Sequence, residues 1–368
     1  MRNEQWARPE SLRVDLDDRS CEVNQMSEKF PDHQTICAAM ALATRAPSVH
    51  NTQPWRWRIG SNSVHLYAES SLHLIHTDPD GRDLLISCGA ALHHATVAFH
   101  ALGWQPTVRR FPNPAEPDHL AAIELSPVTP EQPDIALAAA IPRRRTDRRY
   151  YSGWPVPLGD IALMTARAAR LGIGLRRVKL NDVLTSALRQ AVSQHVHDLD
   201  YLTELTVWSG RYASVAGVPA RSTPTPDHSA ALPGRIFAGP VLGQAAGTTA
   251  SDDNGSLLAL GTSTDAPIDR LRAGEATSAV LLTATAQGLS TCPVTEALEN
   301  PACRAIVRSD VFGDELFPQM LIRVGWAPLN ADPLPATPRR ALTDVVSLLH
   351  DDDPVLGSQP TDDEEADR

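Results

Sequence analysis

Lysine is almost missing from this chain of 368 residues, because only Lys29 and Lys179 occur and every other basic residue is an arginine. Aromatic residues make up only 5% of the chain, and no basic stripe with interleaved aromatics exists. The sequence therefore gives no indication of a nucleic-acid partner. No run of 18 apolar residues is present, which argues against a membrane span. The first six residues contain no apolar signal region, so we expect no export by a cleaved signal.

Cysteine is sparse and irregularly spaced. The five cysteines, at positions 21, 37, 88, 292 and 303, form no Cys-x-x-Cys pair, which predicts reduced, mostly buried thiols in a cytoplasmic protein. The histidines of His93-His94 and His195-x-His197 have no cysteine or carboxylate partner at ligand spacing. We therefore predict no metal site and expect these histidines on helix surfaces.

Signatures of several other enzyme classes are missing as well. No Gly-x-Gly-x-x-Gly follows a strand, no phosphate-binding loop ends in Gly-Lys-Ser/Thr, and no Gly-x-Ser-x-Gly is present. The sequence thus lacks the motifs of dinucleotide-binding domains, phosphate-loop enzymes and serine hydrolases.

Acidic residues are concentrated at one end. The net charge is −11, and residues 351–368 contribute −7 of it through eight acidic residues and one arginine. We predict that residues 350–368 are an acidic disordered tail. Residues 1–33 are polar and irregular, and we predict an N-terminal arm there.

Hydrophobic periodicity predicts an α+β chain, which at this length can form two domains or one body with two related halves. In the first half, residues 34–126, we expect a helix, a polar turn, two strands, a long helix near 83–102 and two more strands. Residues 127–134, with three prolines in eight residues, predict a linker.

The second half, residues 135–349, opens with a short helix. The elements predicted after it are a helix near 160–171, a strand at 174–180, a helix over 181–208, a strand at 257–261, a helix from 268 up to Gly288, a strand at 321–324 and a last helix over 342–349. Residues 209–245 hold five prolines and five glycines without periodicity. A segment of that length predicts a functional lid or a disordered insert.

A dense polar turn joins the first helix to the first strand, with the sequence Pro47-Ser48-Val49-His50-Asn51-Thr52-Gln53-Pro54-Trp55. It could be a capping turn with an internally bonded asparagine. It could equally present hydroxyl, amide and backbone donors to a ligand.

Five arginines occur within residues 143–149. One interpretation is that the chain is rich in arginine throughout and that these residues simply lie on a solvent-exposed face. A cluster this dense repels itself without a counter-ion, however, and we favour an anion site.

Together with two other segments, this turn and this run resemble flavin-dependent nitroreductases. The turn resembles the family's Pro-Ser-x-x-Asn-x-Gln-Pro-Trp loop, and the arginine run, continuing to Tyr150, resembles its opening Arg-Arg-Ser-x-Lys/Arg-x-Phe. Residues 288–296 resemble the Gly-Leu-x-x-x-Pro loop beside the flavin ring. Residues 338–342 resemble the closing Pro-Arg-Arg that returns to the phosphate. Four such segments in compatible order are specific.

The resemblance implies FMN as cofactor and NAD(P)H as transient reductant, with hydride chemistry carried by the flavin and no catalytic side chain required. It implies Arg144, Arg339 and Arg340 at the phosphate, and Ser48, Asn51 and Thr146 along the ribityl chain and pyrimidine edge. Arg148 is the candidate near N1 and O2, and Pro293 and Val294 lie on the ring face. Further cofactor-binding residues implied by the matched segments are Pro47, Val49, Gln53 and Thr295.

Ordinary members of this family are homodimers whose flavin lies between subunits. Here the Pro-Ser turn occurs only in the first half, and the other three segments only in the second. The resemblance therefore implies a nitroreductase-like fold of two fused halves, a pseudo-dimer with a lid and one complete site. It is closest to the dormancy-associated, lid-covered Acg-type branch over about residues 35–348.

Two functions remain open. One is an oxidoreductase that passes electrons from NAD(P)H to nitroaromatic or quinone-type acceptors. The other is a protein that sequesters FMN beneath the lid with little turnover. The expected partners are the flavin and a small-molecule acceptor, without nucleic acid or membrane, in a monomer or weak homodimer.

Overall fold

The computed structural model describes residues 30–211, 214–227, 230 and 232–349. All but the last residues of the predicted N-terminal arm, and the whole acidic tail, lie outside the described residues. Elements are numbered below in chain order.

The described residues from 30 to 140 form three α-helices and four strands. They are α1 (His33–Ala43), β1 (Trp55–Ile59), β2 (Ser63–Ala68), α2 (Arg82–Ala101), β3 (Trp104–Arg110), β4 (His119–Pro127) and α3 (Gln132–Ala140). The Asp32 carboxylate begins α1 by accepting from the Thr35 amide at 2.7 Å, and Asp78 begins α2 by accepting from two amides of its first turn. The long helix and the four strands predicted here are confirmed.

The described residues after 140 add seven α-helices and seven strands. They are α4 (Leu158–Arg170), β5 (Gly174–Val178), α5 (Asp182–Val196), α6 (Leu199–Trp208), β6 (Ser209–Arg211), β7 (Val218–Pro219), β8 (Ser256–Thr262), α7 (Pro267–Ala286), β9 (Ser290–Val294), α8 (Glu296–Glu299), α9 (Pro301–Phe312), β10 (Phe317–Gly325), α10 (Leu342–Val345) and β11 (Val346–Leu348). Gly288, with φ of 83°, closes α7 where the sequence predicts a stop.

The strands form two main sheets. The first has the order β11-β1-β2-β4-β3 and is antiparallel except where β11 runs parallel to β1. The second has the order β5-β8-β10-β9 and is antiparallel throughout. The short strands β6 and β7 form a separate parallel pair.

Two long helices, α2 and α7, cross at a pair of glycines. A Cβ on Gly89 would lie 2.0 Å from the Leu271 carbonyl oxygen, and a Cβ on Gly274 would lie 2.1 Å from the Ile86 carbonyl oxygen. In both cases the oxygen belongs to the residue three positions before the partner glycine, so the contact is reciprocal, as at a twofold interface. This crossing supports two related halves.

By length and composition α2 could cross a membrane, but most of it is buried inside the protein, as is typical of a core helix. On its first-half side it packs in a core that includes Trp55, Trp57 and Phe99. That core also takes in Leu271 of α7 and Val345 of α10. The two halves therefore share their hydrophobic interior.

The end of the described chain differs from the prediction of a last helix over 342–349. Only one helical turn forms, and Val346–Leu348 then pairs with β1 in the first sheet. The exposed edge of β1 supplies backbone partners, and β-branched Val346 suits an extended strand. The second half thus contributes the edge strand of the first.

Two other predicted boundaries also differ. The single helix over 181–208 is two helices, because the Asp198 carboxylate accepts from the Asp200 and Tyr201 amides and starts a new helix there. The predicted linker 127–134 is shorter, since Pro127 ends β4 and Gln132 begins α3.

The expectation of surface histidines is wrong for His94, which is fully buried. The Ser278 hydroxyl of α7 lies 2.7 Å from His93 Nδ1 and 2.8 Å from His94 Nδ1, so both histidines join the two central helices. Burial lowers the pKa of His93 to about 4 and that of His94 well below its usual range. Neutral rings are therefore expected at this contact.

Candidate functional site

The Pro-Ser turn adopts a backbone that non-glycine residues seldom adopt. His50, Asn51 and Gln53 have φ values of 41°, 55° and 56°. Such strain persists only where the surroundings enforce it, and it is concentrated at functional sites. Here the Gln53 amide donates to Ser48 Oγ at 3.0 Å, and the Val49 amide donates to Ser87 Oγ of α2 at 2.9 Å.

Two adjoining cavities meet at this turn. The larger has a volume of about 260 Å³ and the smaller about 60 Å³. Five residues line both: Pro47, Ser48, His50, Thr146 and Arg148. The arginine segment reaches the turn because Thr146 bridges to Thr291 of β9, and the Asp147 amide donates to the Thr291 carbonyl at 2.9 Å. Residues far apart in sequence therefore form one continuous site.

The smaller cavity contains a buried cation. Arg144 lines it, and its Nε and Nη1 find no hydrogen-bond partner in the described part of the chain. Burial, reinforced by neighbouring arginines, lowers the pKa of Arg144 to about 10. A guanidinium without partners in a dry site is costly, and an anion accepting from it removes that cost.

Arg339 also lines the smaller cavity, but its donors are already engaged. Its guanidinium donates to the carbonyls of Thr44, Arg45, Ala46, Thr337 and Pro338. Burial and the nearby arginines lower its pKa to about 9. Arg339 therefore offers positive potential rather than free donors.

Two of the sequence-predicted residues line neither cavity. Arg340 donates to the Gln53 and Asp344 carbonyls, at 3.4 and 3.0 Å. Gln53 is buried, and its amide side chain accepts from the Arg340 amide and donates to the Val215 carbonyl, both at 2.9 Å. Both residues join the turn to neighbouring segments.

The larger cavity combines an apolar wall with polar groups. Val49, Pro293, Val294 and Thr295 line it together with Cys292, whose thiol pKa is raised by burial. Arg148 also lines it, donating to the Ser222 carbonyl at 3.1 Å. Eleven of the thirteen predicted residues thus line one of the two cavities.

The described residues of the segment 209–245 contribute to the wall of the larger cavity. Eleven of its residues line that cavity: Pro224, Thr225, Pro226, Asp227, Ala230, Leu232, Pro233, Gly234, Arg235, Phe237 and Gln244. Its beginning is joined to the turn, because Asn51 Nδ2 donates to the Gly217 carbonyl at 3.0 Å. The segment that the sequence predicts as a lid therefore forms part of the cavity wall, and we keep the name lid for residues 209–245.

Arg235 connects the lid to the body of the protein. It forms an ion pair with Glu299, donates to Thr295 Oγ1 at 3.2 Å, and lies 2.5 Å from His50 Nε2. Although burial opposes it, the Glu299 carboxylate raises the pKa of Arg235. Burial holds the pKa of His50 well below its usual range, so His50 is neutral and accepts from Arg235. We call the contacts among Arg235, Glu299, Thr295 and His50 the lid latch.

Asp83 of α2 lines the larger cavity and was not identified from the sequence. Both of its carboxyl oxygens are buried, and neither accepts a hydrogen bond from the described residues. Arg82 Nη2 lies 2.7 Å from Oδ1, but without hydrogen-bond alignment. Burial outweighs Arg82 and raises the pKa of Asp83 to about 8.

The other residues missed from the sequence carried weak signals. His50 is one of the variable positions of the Pro-Ser turn, and Arg235 lies in a segment without periodicity. A carboxylate in the first turn of a helix, as at Asp83, is an ordinary pattern. Only the tertiary structure distinguishes these residues.

Comparison with known proteins identifies relatives over most of the chain. No family model matches it. It is 59% identical over 321 residues to "Putative NAD(P)H nitroreductase Rv3131" of Mycobacterium tuberculosis, covering 87% of this chain and 93% of the relative. It is 37% identical over 328 residues to "Putative NAD(P)H nitroreductase acg" of the same organism, covering 87% and 97%. The chain belongs to this nitroreductase family.

Among solved structures it matches the FMN-dependent nitroreductase NfnB of Mycobacterium smegmatis in complex with NADPH. That match has a TM-score of 0.35 and 14% identity, and it covers 57% of this chain and 96% of the other. The two mycobacterial relatives confirm the resemblance drawn from the four sequence segments, including its Acg-type branch.

Proposed function

We propose that this chain binds one FMN in the two cavities and uses it as an NAD(P)H-dependent oxidoreductase for nitroaromatic or quinone-type acceptors. The observation that carries the proposal is Arg144, whose buried Nε and Nη1 have no hydrogen-bond partner among the described residues, beside a larger, partly apolar cavity. A phosphate in the smaller cavity satisfies Arg144, and a flat apolar group suits the wall formed by Pro293 and Val294.

The side chains fit the other demands of this cofactor. Ser48 Oγ accepts from the Gln53 amide, which leaves its hydroxyl hydrogen for a ligand oxygen, and Thr146 lines the same boundary between the cavities. Arg148 brings positive charge to the larger cavity and lies 4.9 Å from the centre of the Phe237 ring. That charge stabilises an anionic reduced ring.

When bound, FMN supplies two-electron hydride chemistry between nicotinamide and acceptor. The protein's part is to bind, orient and desolvate. Arg144 with Arg339 holds negative charge, the strained turn fixes the donors of the first half, and the lid excludes water.

A direct test is anaerobic reduction of the FMN-loaded protein by NADPH or NADH. Bleaching of the flavin absorbance, followed by its return after addition of a nitroaromatic compound, is expected. Bound flavin that neither nucleotide bleaches would contradict the oxidoreductase function.

The lid favours a second candidate, an FMN-holding protein with little turnover. Nicotinamide must stack within roughly 3–3.5 Å of the ring for hydride transfer, and a closed lid on that face would block it. The same experiment separates the candidates, because slow or absent bleaching of tightly bound FMN supports storage.

We further infer a cytoplasmic monomer or weak homodimer. Among the described cysteines all four are free thiols, in keeping with a reducing compartment. The fused halves supply both sides of the site within one chain. Sedimentation at micromolar concentration tests the monomer, and a tight dimer would contradict it.

A further inference from the structure

The larger cavity contains several acids, and almost all of them are engaged. Glu296 lies 3.1 Å from His195 Nδ1, Asp253 pairs with Arg323, and Asp227 accepts from the Tyr150 hydroxyl. Asp83 differs, because its side chain lines the cavity while both of its oxygens are buried, and neither accepts a hydrogen bond from the described residues, although Arg82 Nη2 lies 2.7 Å from Oδ1. A protonated Asp83 therefore carries a hydrogen that none of the described residues accepts.

We propose that Asp83 is the acid that donates a proton to the oxygen of a quinone-type acceptor during its reduction. The proposal rests on the proposed function. A quinone becomes a hydroquinone by gaining one hydride and one proton. The proposed function supplies the hydride. The O–H bond of Asp83 breaks as the O–H bond of the hydroquinone forms, and solvent later returns the proton to Asp83.

The surroundings of Asp83 suit both of its protonation states. Burial keeps the acid protonated at neutral pH, and its pKa of about 8 is near the value that serves a general acid there. The guanidinium of Arg82, 2.7 Å from Oδ1, stabilises the carboxylate left after donation.

Four charged groups act on Asp83. Arg82 and Arg235 lower its pKa, whereas Asp78 and Glu299 raise it. Arg82 lies in α2, Arg235 in the lid, Asp78 in the loop before α2, and Glu299 in α8. The acidity of Asp83 therefore depends on a closed lid.

The main test is reoxidation of photoreduced FMN-loaded protein by a benzoquinone, followed anaerobically by stopped flow. In the wild type we expect the rate to fall about tenfold per pH unit above about pH 8. Asp83→Asn, which cannot donate the proton, should lower the rate at neutral pH by about 100-fold or more and remove that dependence. Asp83→Glu should restore a pH-dependent rate.

Reduction by NADPH serves as the internal control, because it delivers a hydride to the flavin without a proton from Asp83. We expect Asp83→Asn to change that rate far less than it lowers the rate of reoxidation by the quinone. A wild-type rate of reoxidation that is flat through pH 8, or wild-type reoxidation in Asp83→Asn, overturns the proposal. Failure of NADPH to bleach the flavin contradicts the proposed function instead, and photoreduced protein still tests Asp83.

A flavin-free measurement decides the protonation state separately. Infrared spectra of the apoprotein at pH 7 should contain a carboxylic acid band that Asp83→Asn lacks. Absence of that band from the wild type overturns the proposal, whether or not the variant folds.

Discussion

Arg144 shows how one buried side chain can predict a ligand. Its unpartnered nitrogens leave the apoprotein with an uncompensated cost, because transferring charged groups from water is unfavourable unless a partner replaces the water. Arg339, in the same cavity, has that partner in five backbone carbonyls. The two arginines therefore have different roles, although the sequence motif treats them alike.

We predict that Arg144→Ala weakens FMN binding by about 10–150-fold, the equivalent of a charge-assisted hydrogen bond of about 1.5–3 kcal/mol. The apoprotein should be no less stable, because the variant removes an unpaired buried charge. Equilibrium titration with FMN and thermal unfolding measure the two effects.

Arg109→Ala is the matched control. The Arg109 side chain is 69% exposed to solvent and forms an ion pair with Glu124. Arg110→Ala is unsuitable, since Arg110 holds buried Glu275 through two hydrogen bonds of 2.6 and 2.7 Å. Equal FMN affinity in the wild type and Arg144→Ala would show that the phosphate binds elsewhere.

Asp83 also predicts a pH dependence of folding. Its pKa is about 8 in the folded protein against an ordinary value of 3.8, so its stabilising contribution is full below about pH 4 and is lost as the pH rises to about 8. Asp83→Asn does not titrate. We therefore expect the unfolding free energy of the variant to rise relative to the wild type across that window, measured by urea unfolding.

Asp32→Asn is the control of opposite sign. Asp32 is exposed, and the Thr35 amide that it caps lowers its pKa, so its contribution is present above the ordinary value and is lost as the pH falls. Parallel stability curves for the wild type and Asp83→Asn would show that Asp83 is ionised in the folded state.

At the scale of elements, the sequence predicted the long helices and most strands because their apolar positions repeat regularly. It failed where a single tertiary contact decides the structure. Asp198 divides a continuous helical pattern, and Val346–Leu348 becomes a strand only because the edge of β1 is available.

Glu275 lies within α7, buried against Arg110 of β3, and the sequence alone does not predict this long-range ion pair. Eleven residues of the candidate site were nevertheless recognisable because they occur in contiguous motifs. Asp83 and Arg235 were not, since their roles depend on distant elements.

The crossing of α2 and α7 makes a sharp prediction. Gly274→Ala would bring a Cβ against the Ile86 carbonyl, so the helices must separate, and we expect a loss of about 3 kcal/mol or more in unfolding free energy. Gly159→Ala in α4 is the control, because nothing lies within 4 Å of the added carbon, and a gain of about 0.5–1 kcal/mol is expected. Equal stabilities would contradict the close crossing.

The lid latch leads to a further prediction. Arg235→Ala leaves the Glu299 carboxylate buried without its cationic partner. We expect this to destabilise the lid latch by about 3–5 kcal/mol. We expect the FMN dissociation rate to rise by at least about tenfold and NADPH reduction to become faster. Stopped-flow measurements of both rates provide the test.

Arg221→Ala, an exposed arginine of the same lid, is the control and should change neither rate. Replacing residues 212–240 by a short Gly/Ser linker should reproduce the effect of Arg235→Ala with the fold intact. If neither variant alters FMN dissociation or reduction, the segment does not control access to the cofactor.

At the scale of the whole molecule, the reciprocal glycine crossing relates each residue of α2 to one of α7. Gly89 corresponds to Gly274, so Ala90, which lines the larger cavity, corresponds to Glu275. Ile86, another lining residue, corresponds to Leu271, which is packed in the first core. Across this twofold relation, Glu275, which pairs with Arg110, therefore takes the position of Ala90. The core residue Leu271 takes the position of Ile86.

This asymmetry predicts one FMN per chain. At the symmetry-related position Arg110 and Glu275 form an ion pair, and no second Pro-Ser turn is available, because that motif occurs once in the sequence. Denaturing the loaded protein and quantifying the released flavin against protein concentration should give a ratio near one, and Arg144→Ala should reduce it toward zero after gel filtration. A ratio near two would mean that a second site persists, and the one-site pseudo-dimer would then be incorrect.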